Sequence, residues 1–220
     1  MNTKPNTARR ALSLLALLLA LLAVAGCTPK NNAPAPATAA PGQTAAPGTG
    51  TGTEAATRPT GTVRTAVVCF SRTDHTWQVA QHVAQITGAD VYRIEAKVPY
   101  TDADIDYKNA SSRTSREQND PNARPEIAGR APDLSGYDVI YLGYPIWWGQ
   151  APKILYTFLD ACDLSGKTVV PFCTLASSGV GSSASNLAAA EPGAAWLAGK
   201  RFPASASRND VAEWIASLGL

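Results

Sequence analysis

From Val63 onward the chain alternates short apolar, strand-forming runs with segments whose apolar residues recur at helical spacing, and this alternation restricts the possible folds more than any other feature. Residues 65–70, T-A-V-V-C-F, read as a strand covered on both faces. After a polar turn, Val79, Val83 and Ile86 fall at i, i+4 and i+7, and Gly88 can close that helix. Residues 91–95 form a weaker, alternating strand suited to an edge. Residues 137–143, Y-D-V-I-Y-L-G, form another buried strand, followed by a helix over 153–162 with Ile154, Leu155, Phe158 and Leu159 on one face. Residues 167–173 supply the next strand, although Pro171 removes a ladder donor and taken alone argues for a bulge or an edge. A helix over 182–190, a poor strand over 200–203 and a capped helix over 209–218, with Val211, Trp214, Ile215 and Leu218 inward, complete the pattern. The expectation is an α/β doubly wound parallel sheet of five strands with helices on both faces. Ligands of such sheets bind beyond the carboxyl ends of the strands.

Three loops lie at that end. The first, Ser71-Arg72-Thr73-Asp74-His75-Thr76, offers short hydroxyls and free N–H groups at a helix N-terminus, the makings of an anion pocket; Thr73 or Asp74 would serve equally as an ordinary helix cap. The second, Tyr144-Pro145-Ile146-Trp147-Trp148-Gly149-Gln150-Ala151-Pro152, carries two adjacent tryptophans that cannot both face one core. One is expected to project over the strand ends, where an aromatic face suits a planar ligand, unless it serves a dimer contact. The third, residues 174–183, includes Ser177, Ser178, Gly179 and Gly181, which let backbone approach a flat ligand edge or serve only as turns.

Upstream of the alternation the chain has a different character. Lys4, Arg9 and Arg10 precede an uncharged apolar run over 11–25, too short to span a bilayer comfortably and read as an export signal. It ends Leu22-Ala23-Val24-Ala25-Gly26-Cys27, which resembles the bacterial lipobox, so that 1–26 would be removed and Cys27 acylated; an ordinary signal with a chance cysteine is the alternative. Arg9-Arg10 is compatible with twin-arginine export and equally with the positive start of a Sec signal. Residues 28–61 are almost entirely Thr, Pro, Ala and Gly and cannot bury enough surface to offset chain entropy. With Cys27 they form a tether of roughly 30 to 35 Å root-mean-square span. The domain of residues 62–220 would then be held at the outer face of a membrane, in the bacterial cell envelope.

Charge and cysteine usage exclude other classes. Residues 62–220 carry 14 basic and 16 acidic groups, which leaves no basic patch for nucleic acid. Cys27, Cys69, Cys162 and Cys173 show no zinc spacing, and His75 and His82 are the only histidines. A serine hydrolase lacks its G-x-S-x-G, and neither histidine follows a late strand.

In order and context the three loops resemble those of the flavodoxin-like proteins over about residues 64–217. Phe70-Ser71-Arg72-Thr73, Asn122-Ala123-Arg124-Pro125-Glu126-Ile127, Tyr144-Pro145-Ile146-Trp147-Trp148-Gly149, and Pro171-Phe172-Cys173-Thr174 with Ser177-Ser178-Gly179-Val180-Gly181 are similar to the branch with Y-P-I-W-W-G after the third strand. The resemblance implies strand order 2-1-3-4-5 and an FMN at the switch point. Ser71, Thr73, His75 and Thr76 would hold its phosphate, Trp148 with Tyr144, Pro145, Ile146 and Trp147 would flank its ring, and Ser177, Gly179 and Gly181 would meet the ring edge. Two departures stand out. Asp74 occupies the place where the family has Gly, and its carboxylate would repel a phosphate if it pointed inward; it is expected to cap the helix and point away. Residues 97–134 are longer than a minimal crossover and hold Tyr100, Tyr107 and a stretch, 102–119, that reads as a helix or lid beside the site.

The function so implied is electron transfer or oxidoreduction through FMN. Nicotinamide cofactors are scarce outside the cytoplasm, so a membrane quinone or a redox protein is the expected exchange partner. A quinone reductase and a one-electron carrier share these features. A binding or structural lipoprotein with a vacant flavodoxin fold is the alternative, favoured by Asp74.

Overall fold

The computed structural model describes residues 61–175 and 181–220. Cys27, the expected leader and the expected tether up to residue 60 lie outside them.

The parallel sheet is built from β1 (Thr65–Phe70), β2 (Asp90–Ile94), β3 (Val139–Pro145) and β4 (Thr168–Thr174), followed by two short strands, β5 (Ala195–Trp196) and β6 (Lys200–Phe202). The order is β2-β1-β3-β4-β5, with β6 also on β4. Every pair is parallel. The expected fifth strand over 200–203 is therefore only half of the fifth position, since β5 fills the other half.

Pro171 explains where that edge breaks. The carbonyls of Lys167 and Val169 accept from Ala195 and Leu197. Backbone groups alternate sides along a strand, so Pro171 presents its backbone to the same edge, between the stretch paired with β5 and the stretch paired with β6. With no N–H to donate, it leaves no orphaned donor where the edge chain leaves the ladder. The strand is regular on its other side, where Leu142 registers with Pro171.

Alternate residues divide the core into two layers. Ala66, Val68 and Phe70 of β1, Ile140, Leu142 and Tyr144 of β3, and Val169 and Cys173 of β4 face one layer, with α3 (Ile154–Ala161) and Leu187 of α4 (Ser183–Ala190). Val67, Cys69, Tyr141, Val170 and Phe172 face the other, covered by α1 (His75–Thr87) and α5 (Arg208–Leu218). Gly88 ends α1 at φ 71°, its N–H on the Ala84 carbonyl. Ser207 and Asp210 form a capping box that starts α5. Trp214 of α5 packs edge-on against Tyr141, Phe172 and Phe202 at centroid distances of 5.3 to 6.0 Å.

The long crossover folds as a compact platform. It holds a 3-10 turn, Ala103–Ile105, and a short helix, α2 (Arg113–Asn119), so only the end of the stretch 102–119 is α-helical. Ala96 and Ile127 form an isolated antiparallel bridge that closes its base. Tyr100 plugs it into the core, 5.9 Å from Phe70 and 4.9 Å from Trp147. Above the ring lies the Arg113 guanidinium at 3.8 Å, and the Tyr100 hydroxyl donates to Glu117, whose other oxygen accepts from Arg113. Burial and the Glu117 carboxylate push the Tyr100 phenol well above its ordinary range.

Candidate functional site

Strands β1, β3 and β4 end side by side, with Pro145 in register with Thr174. Beyond these ends lies a cleft of about 300 Å³. Arg72, Thr73 and His75 form one wall, Pro145, Ile146 and Trp147 a second, Thr174 and Leu175 the floor, and Ile105, Tyr107 and Ala204 the remainder. One end is thus polar and basic, and the other is apolar and aromatic.

At the polar end, the first intrahelical bond of α1 runs from the Gln78 N–H to the Asp74 carbonyl. The amides of His75, Thr76 and Trp77 therefore precede the ladder, and the helix dipole favours an anion there. Thr73 and His75 are exposed beside them, whereas Thr76 is buried with its hydroxyl 2.7 Å from that of Thr174, tying α1 to the end of β4. Ser71 is buried and borders an adjacent pocket of about 450 Å³ that also holds Arg72, Arg93 and Tyr100. Arg72 fixes the loop from one side, donating to the Tyr100 carbonyl at 3.0 Å and to Asp102 at 2.5 Å.

Asp74 sits at φ 61°, a left-handed conformation in which glycine is at no disadvantage. Its side chain makes no cap hydrogen bond, which corrects the expectation that it caps the helix; instead it accepts from Arg93 of β2 at 2.5 Å. The backbone gives the reason: a capping residue normally has extended φ and ψ that bring its side chain over the N2 or N3 amide, and at the left-handed φ and ψ of Asp74 the carboxylate pairs with the guanidinium instead.

The two tryptophans part company. Trp147 is 5% exposed and packs edge-on against Phe70 at 5.4 Å, so it is a core residue that also borders the cleft. Trp147 and Gln150 exchange both backbone hydrogen bonds across Trp148 (φ 54°) and Gly149 (φ 73°), a turn of the type I′ kind. Trp148, 38% exposed, donates its indole N–H to Thr114 at 3.3 Å and lies 5.1 Å from the Tyr107 ring. It lines a neighbouring groove of about 400 Å³, and Tyr107 is the residue shared by groove and cleft. Tyr144 is fully buried with its hydroxyl 3.2 Å from that of Ser183, a core position away from the cleft. Burial pushes its phenol up.

In the third loop, Ser177 and Gly179 lie outside the described residues. Gly181, at φ 57°, stands where a Cβ would come within 3.7 Å of the Gly149 carbonyl oxygen, which puts the loop's end beside the turn after β3. Gln150 ties the same turn to Ser182 and Asn186.

The structure thus gathers Thr73, His75, Pro145, Ile146 and Trp147 around one cleft, adds Arg72, Ile105, Tyr107, Thr174, Leu175 and Ala204, and sets Ser71, Thr76, Tyr144, Trp148 and Gly181 outside its lining. Ile105 and Ala204 carry no local signature; tertiary packing alone brings them there. Burial pushes the Cys173 thiol up to about 12 and the Cys162 thiol up to about 11, so neither is poised as a nucleophile. Among the described residues no group of side chains is arranged to hold a metal ion. The donor set fits a ligand with a phosphate at one end and a flat apolar body at the other.

Comparison with known proteins agrees with this geometry. A family model described as Flavodoxin matches residues 64–218. A candidate flavoprotein from Bacteroides uniformis is 38% identical, with TM-score 0.68 over 70% of this chain and 98% of that one. One from Bacteroides eggerthii is 37% identical, with TM-score 0.68 over 72% and 99%. A Lactobacillus acidophilus flavoprotein solved in complex with FMN shares the fold at 20% identity and TM-score 0.51, over 64% and 93%. The search of curated proteins gave no match. The strand order, the cleft beyond the strand ends and the match over 64–218 place this chain in the flavodoxin family.

Proposed function

We propose that the domain binds FMN and passes electrons at the outer face of a bacterial membrane, to which an acylated Cys27 anchors it. The observation that carries the cofactor reading is the cleft beyond β1, β3 and β4, with anion-seeking groups at one end and apolar walls at the other. Thr73, His75 and the first amides of α1 would take the phosphate, while Pro145, Ile146, Leu175 and Tyr107 would line the ring. When bound, FMN supplies one- or two-electron chemistry, and the protein's part is to position it and limit water around it. The lipobox-like end at Cys27 and the Thr/Pro/Ala/Gly tether support the anchor. A membrane quinone or a redox protein is the proposed exchange partner.

Titration of the purified chain with FMN, followed by flavin fluorescence, tests the cofactor. Quenching at micromolar FMN is expected; a folded chain without quenching would indicate a vacant fold. Tyr107→Ala should weaken FMN by about tenfold, an aromatic contact being worth on the order of 1 kcal/mol, and more than Trp148→Ala does. The reverse order would return the ring contact to Trp148. Cys27→Ser should move the protein from the membrane fraction to the soluble one, and retention in the membrane would refute the lipid anchor.

A further inference from the structure

We infer that Arg93 is a positioning residue for the phosphate end of this site: by holding the Asp74 carboxylate in an ion pair, it lets a bound phosphate share the N-terminus of α1. The inference rests on the FMN reading above and concerns what allows an acidic residue to stand in the phosphate loop.

Asp74 immediately precedes α1, whose first turn contains no other acid. A carboxylate there competes with a ligand anion in two ways, by covering the free amides and by repelling the incoming charge. The first is avoided, because Asp74 makes no cap bond and the amides stay uncovered by it. The second depends on what neutralises the carboxylate, and Arg93 meets it at 2.5 Å.

Arg93 reaches this point by register rather than by sequence proximity. In the parallel pair β1·β2 it lies beside Cys69, whose side chain belongs to the core layer under α1, so Arg93 emerges on the α1 face near the exit of β1. There its guanidinium is fixed three times: it lies 5.0 Å from the centroid of the Trp77 ring, donates at 3.0 Å to the Ser71 carbonyl, and pairs with Asp74. A cation so anchored is a directed counter-charge, in contrast to a mobile surface lysine.

The full chain as wild type, Arg93→Gln, Asp74→Gly and the double variant, titrated with FMN and with riboflavin, tests this. Riboflavin lacks the phosphate and reports on the ring end alone. Arg93→Gln should lower FMN affinity at least tenfold and riboflavin affinity less than threefold. Asp74→Gly should bind FMN at least as tightly as wild type, and adding Arg93→Gln to it should cost less than threefold. The loss in Arg93→Gln should be larger at low salt than at high salt. An equal FMN loss in both backgrounds would show that Arg93 acts on the phosphate or on Ser71 directly, and would overturn the inference. So would an unchanged FMN affinity in Arg93→Gln, or a parallel loss of riboflavin, which marks general damage to the loop. A wild-type chain that binds riboflavin but not FMN would overturn the phosphate assignment, and one that binds neither would overturn the cofactor reading and this inference together.

Discussion

The loop after β1 and the turn after β3 each contain a non-glycine residue with positive φ, Asp74 at 61° and Trp148 at 54°, the two such residues among those described. The backbone cost is similar at both, roughly 1 to 2 kcal/mol for an L-residue in the left-handed region. The compensation differs. Asp74 is held by charge from the neighbouring strand, through Arg93. Trp148 is held by two backbone hydrogen bonds across its own turn, by Thr114 and by the Tyr107 ring. In both loops the strain survives because partners distant in sequence hold the side chain, which is how such strain persists at binding sites.

The largest expected effect sharpens the contrast inside the second loop. Trp147→Ala should cost about 3 to 5 kcal/mol, since it empties a buried site between Phe70 and Tyr100, whereas Trp148→Ala should cost on the order of 1 kcal/mol. Urea unfolding of the two variants measures the difference; comparable losses would mean that the turn, rather than the core beneath it, fixes this region. Next comes a change under both loops at once. A Cβ at Gly143 would lie 2.3 Å from Cζ of Phe172, so Gly143→Ala should overpack the sheet and cost about 2 to 3 kcal/mol. A melting temperature equal to wild type would show that the Phe172 ring can yield.

Smaller effects separate the loops themselves. At both 74 and 148, the glycine variant should be more stable than the alanine variant by about 1 kcal/mol, because both lose the side-chain contacts and only alanine keeps the strain. Equality at 148 with a difference at 74 would mean that the turn rearranges once the indole is gone. The smallest effect is a pH dependence on the Trp148 side. The Thr101 amide and hydroxyl hold the Asp104 carboxyl below its ordinary range, and the Asp104 carbonyl accepts from Thr114, the residue bonded to Trp148. Because the folded-state pKa is depressed, this support is present above the ordinary carboxylate range and is lost as pH falls through the folded value. Asp104→Asn should flatten the acid limb of the stability profile, and an unchanged limb would assign it to other carboxylates.

Much of the architecture could be read along the chain. The run T-A-V-V-C-F is strand β1 residue for residue, and Gly88 ends α1. The second strand, called an edge from its weak alternation, is one. These features depend on periodicity within ten or so residues, which the sequence displays directly. Of the site, the loops after β1, β3 and β4 were legible from the strand ends they follow. Of the broken fifth strand only the half at 200–203 was legible, and poorly; the half at Ala195–Trp196 was not, because both are too short to show a period and depend on pairing with β4 on either side of Pro171.

The sequence by itself therefore determined the alternating α/β plan, the sheet end at which a ligand would sit and the loop residues offered there, because each follows from local pattern. Only the tertiary structure decided which of two adjacent tryptophans is buried, that Tyr107 joins the cleft, and that Asp74 turns to Arg93. The physical reason is common to all three. A parallel sheet with a long crossover brings together residues 19 to 41 positions apart, Asp74 with Arg93 and Tyr107 with Trp148, and a charge pair or a ring contact has no periodicity to reveal it beforehand.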